Sequence, residues 1–144
     1  MEVQVELVHP RATPPTSPHS GDAGFDLVAV EERVLAARGG RAMVPTGLRV
    51  AIPEGHGGFV LPRSGLAARH GVTCVNAPGL IDAGYRGEVM VALVNLDPDQ
   101  EYVVRVGDRV AQLVVMPVEA ATFRVVDSLT ESTRGGGGFG SSGR

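Results

Sequence analysis

The chain contains no lysine; its 13 basic residues are all arginine. That absence excludes Schiff-base chemistry and the phosphate lysine of a P-loop. It leaves arginine as the permanent side-chain cation, and the planar arginine fork suits phosphate bidentately. Tryptophan is missing too. With only 2 Tyr and 4 Phe in 144 residues, the core has to be aliphatic. One cysteine, Cys74, allows no internal disulfide. Inside the apolar run VTCVN it reads as a small core hydrophobe rather than a nucleophile. No run approaches the roughly 20 apolar residues of a membrane span. The N-terminal MEVQVELVHPR lacks the apolar stretch of a secretory signal. A soluble, cytoplasmic protein without a membrane partner is expected. The net charge of −3 and the absence of a basic stripe argue against nucleic acid as a partner.

What is present is glycine and proline, 20 and 10 residues, against an average near 12% for the two together. Many turns and few long helices follow. An apolar content of 43% is enough for one core. A chain of this size buries roughly two thirds of its unfolded surface. Hydrophobicity alternates with a period of two. Val3, Val5 and Leu7 predict a half-buried strand, and further strands are predicted over 25–30, 42–52, 58–63, 88–96, 101–106, 109–118 and 122–127. Only SGLAARHG (64–71) predicts a helix, too short to stand alone. PRATPPTSPHSGDAG (10–24) reads as a Pro-rich loop. The expected fold class is all-β, a sandwich or barrel of short strands.

Polar clusters interrupt this pattern. In GDAGFDL (21–27), Asp22 suits a turn, whereas Asp26 falls inside an apolar strand, where aspartate is disfavoured. Buried there, it needs a cation or hydrogen-bond donors, and local backbone amides would serve equally well. PRSGLA (62–67) places Arg63 and the Ser64 hydroxyl before a helical turn, where free N–H groups attract anions. NAPGLIDAGYRGEVMVALVN (76–95) predicts a hairpin tip at DAGYRG (82–87). Asp82 and Tyr85 there make either a capped turn or a general base beside an aromatic wall. Asn76 offers an amide that both donates and accepts. In VGDRVAQLVV (106–115), Arg109 and Gln112 break an otherwise apolar strand. His9, His19, His56 and His70 are scattered and suit surface or turn positions.

The chain closes on RGGGGFGSSGR (134–144). Composition suggests a flexible tail. Its spacing nearly fits a P-loop, but Ser141 stands at the lysine position and no predicted strand leads into it. Glycine-rich backbone can nonetheless wrap phosphate with its N–H groups. Phe139 and Arg134 are the residues a mere linker gains nothing from.

In order, DAGFDL, PRSGLA, NAPGLIDAGYRGE, GDRVAQLVV and RGGGGFGSSG resemble the five motifs of the trimeric deoxyuridine triphosphatase (dUTP diphosphatase) family, from residue 22 to 143. The resemblance implies a distorted jelly-roll-like β sandwich over 1–128 with one short helix, and a flexible C-terminal arm over 129–144. It implies a homotrimer with active sites at subunit interfaces. It further implies hydrolysis of dUTP to dUMP and diphosphate by Mg²⁺-assisted water attack on the α-phosphorus, which keeps uracil out of DNA and supplies dUMP for thymidylate synthesis. By the same resemblance Asp82 is the general base. Tyr85 packs on the deoxyribose and excludes a 2′-OH. Asn76 and the backbone of Gly79, Leu80, Ile81 and Met90 read uracil. Arg63, Ser64, Gly65 and Gln112 grip the phosphates, with Ser64 near the bridging oxygen of the leaving diphosphate. Asp26 contacts Mg²⁺ through water, and Arg109 is structural or at the interface rather than catalytic. In the arm, Arg134 meets the γ-phosphate, Phe139 stacks on uracil, and Gly140, Ser141 and Ser142 donate to phosphate oxygens. A deoxycytidine triphosphate deaminase, of the same fold, would need a catalytic Glu where Ala92 stands. A non-catalytic β module would be expected to lack Asp82 or the arm, and both are here.

Overall fold

The computed structural model describes residues 1–137. In chain order the elements are β1 (Gln4–Leu7), β2 (Phe25–Val28), β3 (Arg33–Leu35), β4 (Gly40–Ala51), β5 (His56–Leu61), α1 (Ser64–His70), β6 (Val72–Cys74), β7 (Gly79–Ile81), β8 (Glu88–Asn95), β9 (Tyr102–Val104) and β10 (Arg109–Pro117). Two four-stranded sheets, ordered β1-β4-β8-β6 and β2-β10-β5-β7, carry the fold, and β3 pairs with β9 in a small third sheet. The named strand pairs are all antiparallel. The chain is thus all-β, as the alternation implied, and jelly-roll-like, as the resemblance implied. None of its described helices is long and apolar enough to cross a membrane.

The period of two decides what is inside. Along β8, Val89, Val91 and Leu93 are buried while Met90 and Ala92 are half-buried on the other face. They join Val44, Leu48 and Val50 of β4, and Leu27, Val60, Ile81, Ala111 and Leu113 of the second sheet, in one aliphatic core. Each of the Val, Leu and Ile side chains, fully buried, contributes about 1.5–3 kcal/mol. Cys74 belongs to this core, and burial pushes its thiol up to about 11. Asn95 is fully buried and fully engaged. Its Nδ2 donates to the Leu35 and Gln100 carbonyls, and its Oδ1 accepts from Asp97 N–H, so β8 is tied to the small sheet.

Three sequence expectations are corrected. β1 is not half-buried: it is an edge strand on β4, and Val5 and Leu7 stay 38% and 48% exposed. Residues 122–127 form no strand, because no described edge pairs with them; Phe123 and Val125 are almost wholly exposed. DAGYRG is not a hairpin tip, since β7 pairs with β5 while β8 pairs with β4 and β6. Residues 82–87 instead carry the chain from one sheet to the other. β3 and β6, three residues each, were not among the strands predicted from alternation.

Candidate active site

β10 runs between β2 and β5, and its register sets Gln112 opposite Asp26 on one side and Leu61 on the other. Arg63 follows Leu61 by two residues at the start of α1. Three sequence-distant polar residues therefore meet because neighbouring strands lie about 4.8 Å apart. Asp26 is only 6% exposed. Its Oδ1 lies 3.2 Å from Arg63 Nε and its Oδ2 3.2 Å from Arg109 Nη1. This answers the question its sequence left open: a buried carboxylate needs charge compensation, and here two arginines supply it rather than local amides. Arg63 also donates from Nη1 to the Arg109 carbonyl.

These groups line a cleft of about 370 Å³ with Pro18, Asp22, Ala23, Gly24 and Gln112. Asp22 is spent on its own turn, its Oδ2 accepting from His19 N–H. Gly24 was not singled out from sequence, yet a Cβ there would stand 2.6 Å from Gln112 Oε1. Glycine there lets the Gln112 side chain keep this position; a larger residue would shift its amide. Ser64 and Gly65, the first residues of α1, are exposed. A Cβ on Gly65 would meet nothing within 4 Å among the described residues, so packing among them does not require glycine there.

The second group of expected residues lies elsewhere. Gly79 and Ile81 are buried in β7, whereas Leu80 is 62% exposed and Asn76 is exposed before the strand. Met90 sits in β8 opposite Pro45. Asp82 is exposed, and its carbonyl accepts from Tyr85 N–H at 3.0 Å. Tyr85 is 44% exposed, and its hydroxyl donates to the Glu88 carbonyl at 2.9 Å. Arg86 donates to the Ala83 and Tyr85 carbonyls, bracing the same loop. Asn76, Asp82 and Tyr85 do not line the cleft of Asp26. The expected residues thus fall into two separate groups on one chain. Arg134 is exposed, its Nε donating to the Gly137 carbonyl. Phe139, Gly140, Ser141 and Ser142 lie outside the described residues.

Among the described residues no three His, Cys, Asp or Glu side chains gather around a point that could hold a metal. The donor set fits Mg²⁺ in one way. On the cleft, Asp22 is engaged by its own turn, and Asp26 is a buried carboxylate with both oxygens already facing guanidiniums. Such a group can accept from water bound to an ion, and Mg²⁺ keeps several waters and takes its other ligands from substrate phosphates.

The sequence model of one family, dUTPase, matches residues 11–143. The chain belongs to the dUTPase family, the dUTP diphosphatases. Curated deoxyuridine 5′-triphosphate nucleotidohydrolases resemble this dUTPase over nearly its whole length. That of Thermobifida fusca is 53% identical over 99% of this chain and 79% of its own. That of Streptomyces coelicolor is 54% identical over 99% and 78%. Among solved structures, a mutant dUTPase of Staphylococcus bacteriophage 80alpha with dUpNHpp has a TM-score of 0.87 at 28% identity, covering 99% of both chains. A mutant dUTPase of phage phi11, described with a structural Mg(II) ion, has a TM-score of 0.81 at 26% identity over 91% of this chain and 100% of that one.

Proposed function

We propose that this dUTP diphosphatase cleaves dUTP between the α- and β-phosphates at a site assembled from two half-sites of different subunits. The observation that carries the reading is the cleft of Arg63, Asp26, Arg109 and Gln112, with Gly65 open beside it. A guanidinium fork, an amide and a bare backbone segment suit a triphosphate chain. The Asn76–Tyr85 half-site offers an amide, backbone groups, a phenol and a carboxylate, which suit a nucleoside and a water. Because they do not line the cleft of their own chain, they support a homotrimer in which a neighbour's loop faces that cleft.

In this mechanism Asp82 holds a water in line with the α-phosphorus and takes its proton as the new P–O bond forms. The P–O bond to the β-phosphate breaks, and the leaving diphosphate carries the electron pair. Arg63 neutralises that departing charge, Gln112 orients it by hydrogen bonding, and Ser64 donates to the bridging oxygen. Mg²⁺, held to the site through water on Asp26, would supply further charge neutralisation on the phosphates. Tyr85 closes on the deoxyribose and leaves no room for a 2′-OH. Asn76 and the backbone of Gly79, Leu80, Ile81 and Met90 read uracil. The arm brings Arg134 to the γ-phosphate, Phe139 to the base, and Gly140, Ser141 and Ser142 to phosphate oxygens. The product dUMP serves thymidylate synthesis, and removing dUTP keeps uracil out of DNA.

The test is diphosphate release from dUTP, dCTP, dTTP and UTP, with Mg²⁺ or chelator, alongside an ammonia assay and sedimentation. Release from dUTP alone, lost in chelator and without ammonia, in a trimer, is the expected result. Asp82→Asn should bind dUTP yet turn it over about 10²–10⁴-fold more slowly, the usual worth of a general base. Normal turnover in that variant removes Asp82 from the role. Ammonia from dCTP would replace the reading with deamination.

A further inference from the structure

Glu88 opens β8 directly after the loop that carries Asp82 and Tyr85. It engages in two directions at once. Its carbonyl accepts the Tyr85 hydroxyl at 2.9 Å. Its carboxylate Oε1 accepts Gly47 N–H at 2.8 Å, across the sheet on β4.

That β4 anchor is a built feature rather than a passing contact. The β4–β8 register runs evenly to Pro45↔Met90 and resumes at Arg49↔Glu88, so a bulge occupies the interval. Bulges leave ladder groups unpaired and commonly re-aim neighbouring residues. Here the freed groups are satisfied one by one. Buried Thr46 donates from Oγ1 to the Val89 carbonyl at 2.6 Å. Gly47 C=O accepts from Val8 N–H, and Gly47 N–H goes to Glu88. Gly47 has φ +66, and a Cβ on it would stand 2.6 Å from His9 Cβ and 2.9 Å from Ala12 Cβ. The bulge is fixed by packing on one side and by hydrogen bonds on the other.

We propose that Glu88 is a positioning residue for the nucleoside half-site: its carboxylate, locked on the β4 bulge, holds the start of β8 so that the Glu88 carbonyl orients the Tyr85 ring. The chain of contacts runs Gly47 N–H to Glu88 carboxylate, then Glu88 carbonyl to Tyr85 hydroxyl. Tyr85 has no other side-chain hydrogen bond among the described residues. The ring, 44% exposed, lies over Gly87, and the carbonyl contact fixes its outer end; a wall that discriminates a hydroxyl must be held to a fraction of an ångström.

The consequence for sugar discrimination rests on the proposed role of Tyr85, so the test has two independent readouts. The first uses the scarcity of aromatics. With no Trp and 2 Tyr in the chain, a Tyr102→Phe background leaves Tyr85 as the sole strong emitter. In that background Glu88→Ala should lower Tyr85 fluorescence anisotropy and raise its quenching by acrylamide. Glu88→Gln, whose amide oxygen still accepts from Gly47, should keep both near the parent. The second readout is the ratio of kcat/KM for dUTP over UTP. Glu88→Ala should lose about tenfold of it, short of the roughly hundredfold that a 1 Å misplacement can cost. Glu88→Gln should retain it, and Tyr85→Ala should lose it entirely. An unchanged Tyr85 signal in Glu88→Ala overturns the positioning role. Equal loss in Glu88→Gln and Glu88→Ala overturns it as well, by pointing to charge instead of the Gly47 contact. If Tyr85→Ala keeps its selectivity while the Tyr85 signal still responds to Glu88, the positioning stands and the sugar-wall reading fails.

Discussion

Replacing Asp26 by Asn isolates the charge at the centre of the phosphate cleft. The substitution keeps the volume, one carbonyl oxygen and the backbone bond from Asp26 N–H to the Thr16 carbonyl. It removes the charge and turns one acceptor into an NH₂ donor. That donor must face either Arg63 Nε or Arg109 Nη1, each now 3.2 Å from an acceptor oxygen, and neither can accept. Removing one partner of a fully buried pair costs about 3–5 kcal/mol. An exposed pair is worth about 0–1 kcal/mol. The side chains of Asp26, Arg63 and Arg109 are 7%, 24% and 52% exposed, so the Arg63 contact carries most of the cost and about 2 kcal/mol in all is expected. For a chain of this length that is about 8 °C of melting temperature. Thermal unfolding followed by circular dichroism, at fixed protein concentration, measures it. Salt should narrow the gap only slightly, because a buried pair is poorly screened. The same variant should raise KM for dUTP, since Arg63 loses the carboxylate that aims it. A melting temperature within about 1 °C of the parent would refute the account of Asp26 as the ion-paired centre of the cleft.

Other outcomes follow from single observations. Cys74, its thiol pushed up to about 11 by burial, should resist a thiol reagent at pH 8 in the folded protein and react at once in denaturant; rapid native labelling would show that the core opens there. The Asp97 carboxylate is held below its ordinary pKa by N–H donation first from Asp99 and then from Gln100. A lowered folded pKa gives stability that is full above the unfolded value of about 3.9 and lost as pH falls through the folded one. The stability gap between the parent and Asp97→Asn should therefore close in acid, and a gap that widens there would contradict the sign. Truncation after Thr133 should leave the melting temperature within about 2 °C while cutting turnover by about a hundredfold, the scale of lost closure and positioning; a truncated chain that fails to fold would make the arm structural.

The alternation along β4, β8 and β10 was enough to read the all-β class, because a strand with one face on a core must alternate. The oddness of Asp26 was legible for the same reason: a carboxylate at a position the pattern buries demands a partner. The partner's identity was not. Arg63 and Arg109 come from segments 37 and 83 residues away from Asp26 along the chain, as the numbering gives, and only the placement of β10 between β2 and β5 brings them together. The closeness of Gly24 to Gln112 carries no signal in sequence, since it arises from the pairing of β2 with β10.

The sequence by itself determined the aliphatic core, the reliance on arginine and the order of the family's motifs, because these are properties of residue type and spacing. Tertiary structure decided what alternation cannot encode. It sent residues 82–87 across from one sheet to the other instead of back along a hairpin, since β7 and β8 found different partners. It left 122–127 without a partner among the described residues despite their strand-like run, because a strand exists only where another edge accepts its hydrogen bonds. It also placed Glu88 between the β4 bulge and the Tyr85 hydroxyl, a juxtaposition set by strand register, which is fixed by pairing across the sheet rather than by neighbours along the chain.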